Sequence, residues 1–365
     1  MNRAVEMRKP MEDTQRGVAL LAVLWLAVAL SFMGMATAHL VRTEVEATAN
    51  RSDWQREYYL ARGGIEAAIY SIANYNPALP SPANGLESRY VPGKRWIEYR
   101  FASGSSTVEV VPESAKLNVN SAPPEQLAAL FAALGLPPER SRQLAEAIVD
   151  WRSPRTSDVP SSLDLYYTGL PQPYVARHAP LEELDELLPV RGMSRDLFFG
   201  HAERTVEGRW QQWPPLADLL TADVSATVVN PNFAAYEVLR SLPGWNDAMA
   251  RAVIAARALA PFSSLDELNS AVPGMSATGA LAYIAFAQGP VYTMTATGFL
   301  PNSGVRRSVR AIVLIDRRLP LYHRILGWWD EWPTPGELPV DRAEPRKGTT
   351  SVVPIALGPG KGFSP

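Results

Sequence analysis

From Gly17 to Ala38 the chain runs GVALLAVLWLAVALSFMGMATA, 22 residues without one charged side chain. A helix rises 1.5 Å per residue, so this run covers the ~30 Å hydrocarbon core of a bilayer. Arg3, Arg8, Lys9 and Arg16 precede it and favour a cytoplasmic N-terminus. A secretory signal would carry a shorter apolar region ending in a small-residue cleavage site, which Ala36-Thr37-Ala38 offers. The other reading keeps the helix as a single membrane span. A soluble cytosolic chain has no use for such a segment.

Helical periodicity continues past the apolar run. Leu40/Val41, Val45, Ala49, Tyr58, Ala61, Ile65, Ala68/Ile69 and Ile72 recur at three- and four-residue steps, with Arg42, Glu44, Glu46, Arg51 and Arg56 between them. Gly63-Gly64 reads as a weak point, and Asn74, Asn76 and Pro77 end the pattern. One helix over 18–75, about 87 Å long if unbroken, is the expectation.

Two hairpins follow, far apart. Trp96–Phe101 and Thr107–Val111 alternate about a turn at Gly104-Ser105-Ser106. Tyr292–Leu300 and Val305–Ile315 alternate about Pro301-Asn302-Ser303-Gly304. Between them the pattern is helical and repeats. Asn118-Val119-Asn120-Ser121-Ala122 matches Asn230-Pro231-Asn232-Phe233-Ala234, each ahead of a pair of helices ending in Arg152 and Arg257. Each copy then reaches Leu-Asp-Glu-Leu (184–187 and 265–268) and Gly-Met-Ser (192–194 and 274–276), the mark of a duplicated unit. The first copy alone carries a loop of about thirty residues with Pro154, Pro160, Pro171 and Pro173. The fold class is therefore α+β: a long N-terminal helix and a small antiparallel sheet, interrupted by an all-α insertion with two helix-hairpin-helix-like repeats.

The absence of cysteine excludes disulfides, thiol catalysis and cysteine-ligated metal, and four scattered histidines make a poor zinc set. No Gly-x-Ser-x-Gly elbow or phosphate loop is present, so no enzymatic constellation emerges. A DNA-binding hairpin would cradle phosphate on Gly-x-Gly backbone N–H groups. Here Asn246 stands at the second glycine, Pro137 removes a donor, and few lysines lie nearby. No nucleic-acid partner is expected.

Arg16-Gly17 followed at once by an apolar helix resembles the leader of type IV pilins and type II secretion pseudopilins. Lys116-Leu117-Asn118-Val119-Asn120-Ser121-Ala122-Pro123, then Asp150-Trp151, Tyr166-Tyr167 and Leu184–Met193, are similar in order to the K-type minor pseudopilin of the type II secretion system. The resemblance spans roughly Arg16 to Ile315. It implies cleavage by a prepilin peptidase between Gly17 and Val18, N-methylation of Val18, and retention of the helix. Pseudopilins usually carry glutamate at the fifth mature position. Ala22 stands there, a lack typical of K-type subunits. The implied place is the bacterial inner membrane, with a periplasmic globular part at the pseudopilus tip, acting in pseudopilus initiation, length control and protein export. Implied partners are I-, J- and H-type minor pseudopilins and the major pseudopilin. A membrane-anchored DNA-uptake protein and a type IV pilus minor pilin are the alternatives.

The expected organisation is a cleaved leader (1–17), spine helix (18–75), first part of the β domain (76–115), insertion (116–289, repeats about 118–194 and 230–276), second part of the β domain (290–316) and a mostly unstructured Pro/Trp-rich tail (317–365). Trp328, Trp329 and Trp332 in that tail either pack back on the domain or dock on a partner. In the K-type family the loop after Asp150-Trp151 can bind calcium. Asp150, Asp158 and Asp164 are the corresponding candidates, but Arg152 and Arg155 stand where acids would, so no cofactor is expected beyond a degenerate calcium site.

Overall fold

The computed structural model describes residues 13–76, 78, 89–155, 157–204, 210–223, 226, 228–272, 274–275, 279–301, 303 and 306–333. The chain forms two units, one up to Arg56 and one from Glu57 onward.

Helix α1 spans Asp13–Ala73, 61 residues. Its apolar stretch, with a mean hydropathy of 2.1, is long enough for one membrane span, and the residues from Leu20 to Val45 are exposed. Within the second unit, the stripe Ala61, Ile65, Ala68, Ile69 and Ile72 is buried. Spacing of three and four residues places those side chains on one face. Gly63-Gly64 is no break. Gly64 is buried where the helix approaches a strand, and a Cβ there would lie 2.8 Å from the Ser106 Cβ.

That face packs on a five-stranded antiparallel sheet in the order β1 (Trp96–Phe101), β2 (Gly104–Pro112), β7 (Val291–Phe299), β8 (Arg307–Ile315), β9 (His323–Trp332). The two expected hairpins meet through β2 and β7, with Ser105 opposite Phe299 and Pro112 opposite Tyr292. Strand alternation sends Val108, Val110, Met294, Ala296, Val309, Ala311 and Val313 to the α1 side, where they form one apolar core. Gly298 lets the helix backbone come close: a Cβ there would sit 2.1 Å from the Glu57 carbonyl oxygen.

Strand β9 corrects the expectation of a mostly unstructured tail from 317. It pairs with β8 from Ile315↔His323 to Ser308↔Trp332, with register shifts between Ser308 and Arg310 and between Ile312 and Val313. The irregular edge position left no clean two-residue alternation to find. Residues 334–365 lie outside the described residues.

The other sheet face carries Thr293, Thr295, Thr297, Ser308 and Arg310, all buried, and it meets the insertion. The insertion leaves β2 through a 3-10 turn at Glu113–Ala115 and the short strand β3 (Leu117–Asn118), which pairs in parallel with β6 (Leu220–Thr221). Its helices are α2 (Pro124–Ala133), α3 (Pro138–Arg152), α4 (Ser162–Thr168), α5 (Arg195–Phe199), α6 (Tyr236–Ser241), α7 (Asp247–Arg257) and α8 (Leu265–Ala271). A hairpin of β4 (His201–Arg204) and β5 (Trp210–Trp213) lies between the repeats. One core joins both copies, from Leu127, Phe131 and Ile148 of the first to Val238, Leu239 and Leu268 of the second.

A charged rivet fastens the insertion to the sheet. Lys116 Nζ lies 2.5 Å from Glu113 Oε1 and 2.6 Å from Thr293 Oγ1, and Lys116 and Glu113 are each 3% exposed. Burial alone would raise the Glu113 pKa, but the Lys116 ammonium outweighs it and holds the carboxyl below the usual range. Arg310 pairs with Asp218 and donates to the Ala217 carbonyl at 3.1 Å.

Candidate functional site

The duplicated motif is a pair of backbone clamps. In the first copy, Asn118 Oδ1 accepts the Asn120 N–H at 2.8 Å, and its amide donates to the carbonyls of Asp223 and Ala226. Asn120 grips Leu181 from both sides, accepting its N–H at 2.8 Å and donating to its carbonyl at 2.9 Å. The second copy repeats this clamp. Asn230 Oδ1 accepts the Asn232 N–H, and Asn232 grips Phe262 at 2.7 and 2.8 Å. An amide side chain suits the task because it offers donor and acceptor in one plane. Arg152 donates to the carbonyls of Val119 and Ala122, as Arg257 does to those of Pro231 and Ala234, at 2.6 Å each for Arg257. Burial lowers the Arg257 pKa to about 10, and the two carbonyls take its donors. Arg152 therefore serves the repeat and is aimed away from any cation site.

The hairpins are occupied by protein. The Asn246 side chain accepts the Met249 N–H at 2.9 Å, filling the α7 N-terminus that a phosphate would need. At Gly135, φ is +86° and the Trp213 ring covers the Cα, 2.8 Å from where a Cβ would stand.

The structure does not gather the three candidate carboxylates. Asp150 lies on α3, Asp158 is exposed, and Asp164 is buried at 4% exposure within α4. Among the described residues, no group of three or more His, Asp or Glu could hold a metal ion. Asp164 closes a capping box: its Oδ2 accepts the Ser161 N–H at 3.0 Å while the Ser161 hydroxyl accepts the Asp164 N–H at 3.1 Å. Its Oδ1 faces His178 Nε2 at 2.8 Å and Arg155 at 3.3 Å. The His178 hydrogen bond, with Ser161 behind it, holds the Asp164 carboxyl below the usual carboxylate range despite burial. Sequence reasoning does not single out His178, fourteen positions away. Its Nδ1 faces the Ser153 carbonyl at 3.1 Å, so the pair activates no hydroxyl.

The tryptophans of β9 are taken up by contacts within the chain. Trp328 lies under the Arg62 guanidinium, 5.5 Å from the ring centroid, and donates to Asp330 at 2.7 Å. Trp332 receives Arg310 at 4.1 Å and meets the Phe199 ring edge at 6.1 Å, while Trp329 packs on Trp332 and Gly327. The three rings bind strand β9 to α1 on one side and to the insertion on the other. Gly17 and Val18, where the resemblance implies cleavage, lie within α1, and Ala22 is exposed on it.

Two family models, both described as type II secretion system protein K, match residues 107–199 and 229–286. They cover the first and second repeat in turn. A solved chain from the GspK-GspI-GspJ complex of the enterotoxigenic Escherichia coli type 2 secretion system aligns at 16% identity, over 77% of this chain and 98% of that one, with a TM-score of 0.48. No curated protein matches the chain. With the Asn-x-Asn clamps, the paired helices and both models falling in register on it, the duplicated insertion consists of two type II secretion system protein K domains.

Proposed function

We propose that the protein is a minor pseudopilin placed at the tip of the type II secretion pseudopilus, where it acts in initiation and length control of protein export. It is held as a single-pass protein of the bacterial inner membrane, with a cytoplasmic leader removed by prepilin peptidase after Gly17 and a periplasmic body. The observation that carries this reading is the insertion. Between β2 and β7 the chain builds a helical body on the sheet face opposite α1, clasped there by the Lys116–Glu113 pair and by Arg310. Such a body, fixed to the sheet, obstructs the next subunit of a stacked filament.

Ala22 supports the same placement. A charge in the bilayer is expensive without a partner, so a subunit carrying a glutamate there gains by meeting a neighbour's terminal amine. This chain offers the amine of Val18 and no acid of its own, which suits one end of a filament and not its middle. Its partners in this reading are I- and J-type minor pseudopilins, with H-type and major subunits below. Co-expression with I- and J-type subunits, detergent extraction and native mass spectrometry test it. A complex of fixed stoichiometry is expected, and failure of the three to co-purify would overturn the assignment.

A further inference from the structure

We propose that the long excursion of the first repeat, Ser153 to Pro180, is closed by a metal-free latch in which His178 and Arg155 hold the Asp164 carboxylate. The two repeats frame the problem. In the second copy Arg257 is followed almost at once by Phe262, which Asn232 clamps; in the first, the equivalent Arg152 and Leu181 are clamped in the same way but are joined by the excursion. Its two ends are thus pinned, and its middle needs its own tie. Closing such a loop costs entropy that some contact must offset.

His178 supplies the tie on three sides. Its N–H donates to the Trp151 carbonyl at 2.7 Å, its Nδ1 faces the Ser153 carbonyl at 3.1 Å, and its Nε2 meets Asp164 at 2.8 Å. The backbone holds φ at +50°, a conformation that L residues adopt at a cost, so the contacts over-determine it. Asp164 answers from α4, where the capping box fixes its rotamer and the carboxylate takes Ser161, His178 and Arg155 together.

A divalent cation fits badly here. Calcium asks for six to eight oxygens, while Asp164 spends three of its roughly four acceptor positions on nitrogen donors. The Arg155 guanidinium at 3.3 Å repels a second cation, and neither Asp150 nor Asp158 joins the carboxylate. The latch ties the excursion through hydrogen bonds and charge alone.

The excursion of the full chain in detergent should therefore ignore calcium. Hydrogen exchange followed by mass spectrometry over residues 161–169 reads it, in millimolar calcium and in EGTA. Equal exchange of the wild type in both is expected. His178→Ala should speed exchange there about tenfold in both conditions, the loss of one hydrogen bond to a charged group. Arg155→Ala, at a half-exposed side chain, should speed it less, and it keeps the test open should His178→Ala fail to fold. Slower exchange of the wild type in calcium would overturn the latch, as would unchanged exchange in both variants.

Discussion

Replacing Gly63 and Gly64 by alanine, one at a time, should move stability in opposite directions. Both lie inside α1, where alanine is favoured over glycine by about 0.5–1 kcal/mol through lower backbone entropy. At Gly63 a Cβ would meet Phe101 Cζ at 3.4 Å, an ordinary contact, so the full gain is expected. At Gly64 the same atom would stand 2.2 Å from Ser106 Oγ, 2.8 Å from Ser106 Cβ and 3.0 Å from Val108 Cγ2. The hydroxyl can rotate away, but the Ser106 Cβ is fixed by β2. Carbon atoms sit at about 3.5–4.0 Å, so helix and strand must part by roughly 1 Å. Overpacking of this kind costs about 1–3 kcal/mol, leaving a net loss of up to about 2.5 kcal/mol after the helix gain. At roughly 2–4 °C per kcal/mol for a body of this size, the two variants should separate by several degrees in a thermal melt followed by tryptophan fluorescence. Gly64→Ala melting at or above the wild type would refute the close approach of α1 to β2.

Three further outcomes follow from the same contacts. Lys116→Met should cost about 3–5 kcal/mol by leaving the buried Glu113 unpaired, and adding Glu113→Leu should restore much of that loss in urea unfolding. Asn232→Ala removes both bonds to Phe262 and the Asn230–Asn232 turn contact stays, so about 1–3 kcal/mol is expected, with Asn120→Ala matching it in the first repeat. Mass spectrometry of the membrane-extracted protein should find its N-terminus at Val18, and Gly17→Glu should abolish that cleavage; an N-terminus near His39 would replace the pilin leader by an ordinary signal peptide.

Much of the architecture was legible because its signals are periodic. The apolar run and its three- and four-residue continuation gave α1, and two alternating hairpins gave four of the sheet's strands. The duplication was visible as repeated Asn-x-Asn, Leu-Asp-Glu-Leu and Gly-Met-Ser, though not what those asparagines do. Strand β9 escaped because Gly327, two register shifts and an exposed edge break its alternation. Gly63-Gly64 looked like a weak point because propensity is local, whereas the close approach that uses Gly64 belongs to the tertiary fold. Arg152 looked like a charge beside a cation site; its counterpart Arg257 was the signal that it serves the repeat. Ser161-x-x-Asp164 could have been read as a capping box, but His178 meets it only through the fold.

Placement at the tip is tested most directly by gold-labelled antibody against this protein on isolated surface pseudopili. Label at one end of each filament is the predicted result, together with longer or more numerous pseudopili when the protein is absent. Label spread evenly along the shaft would contradict it.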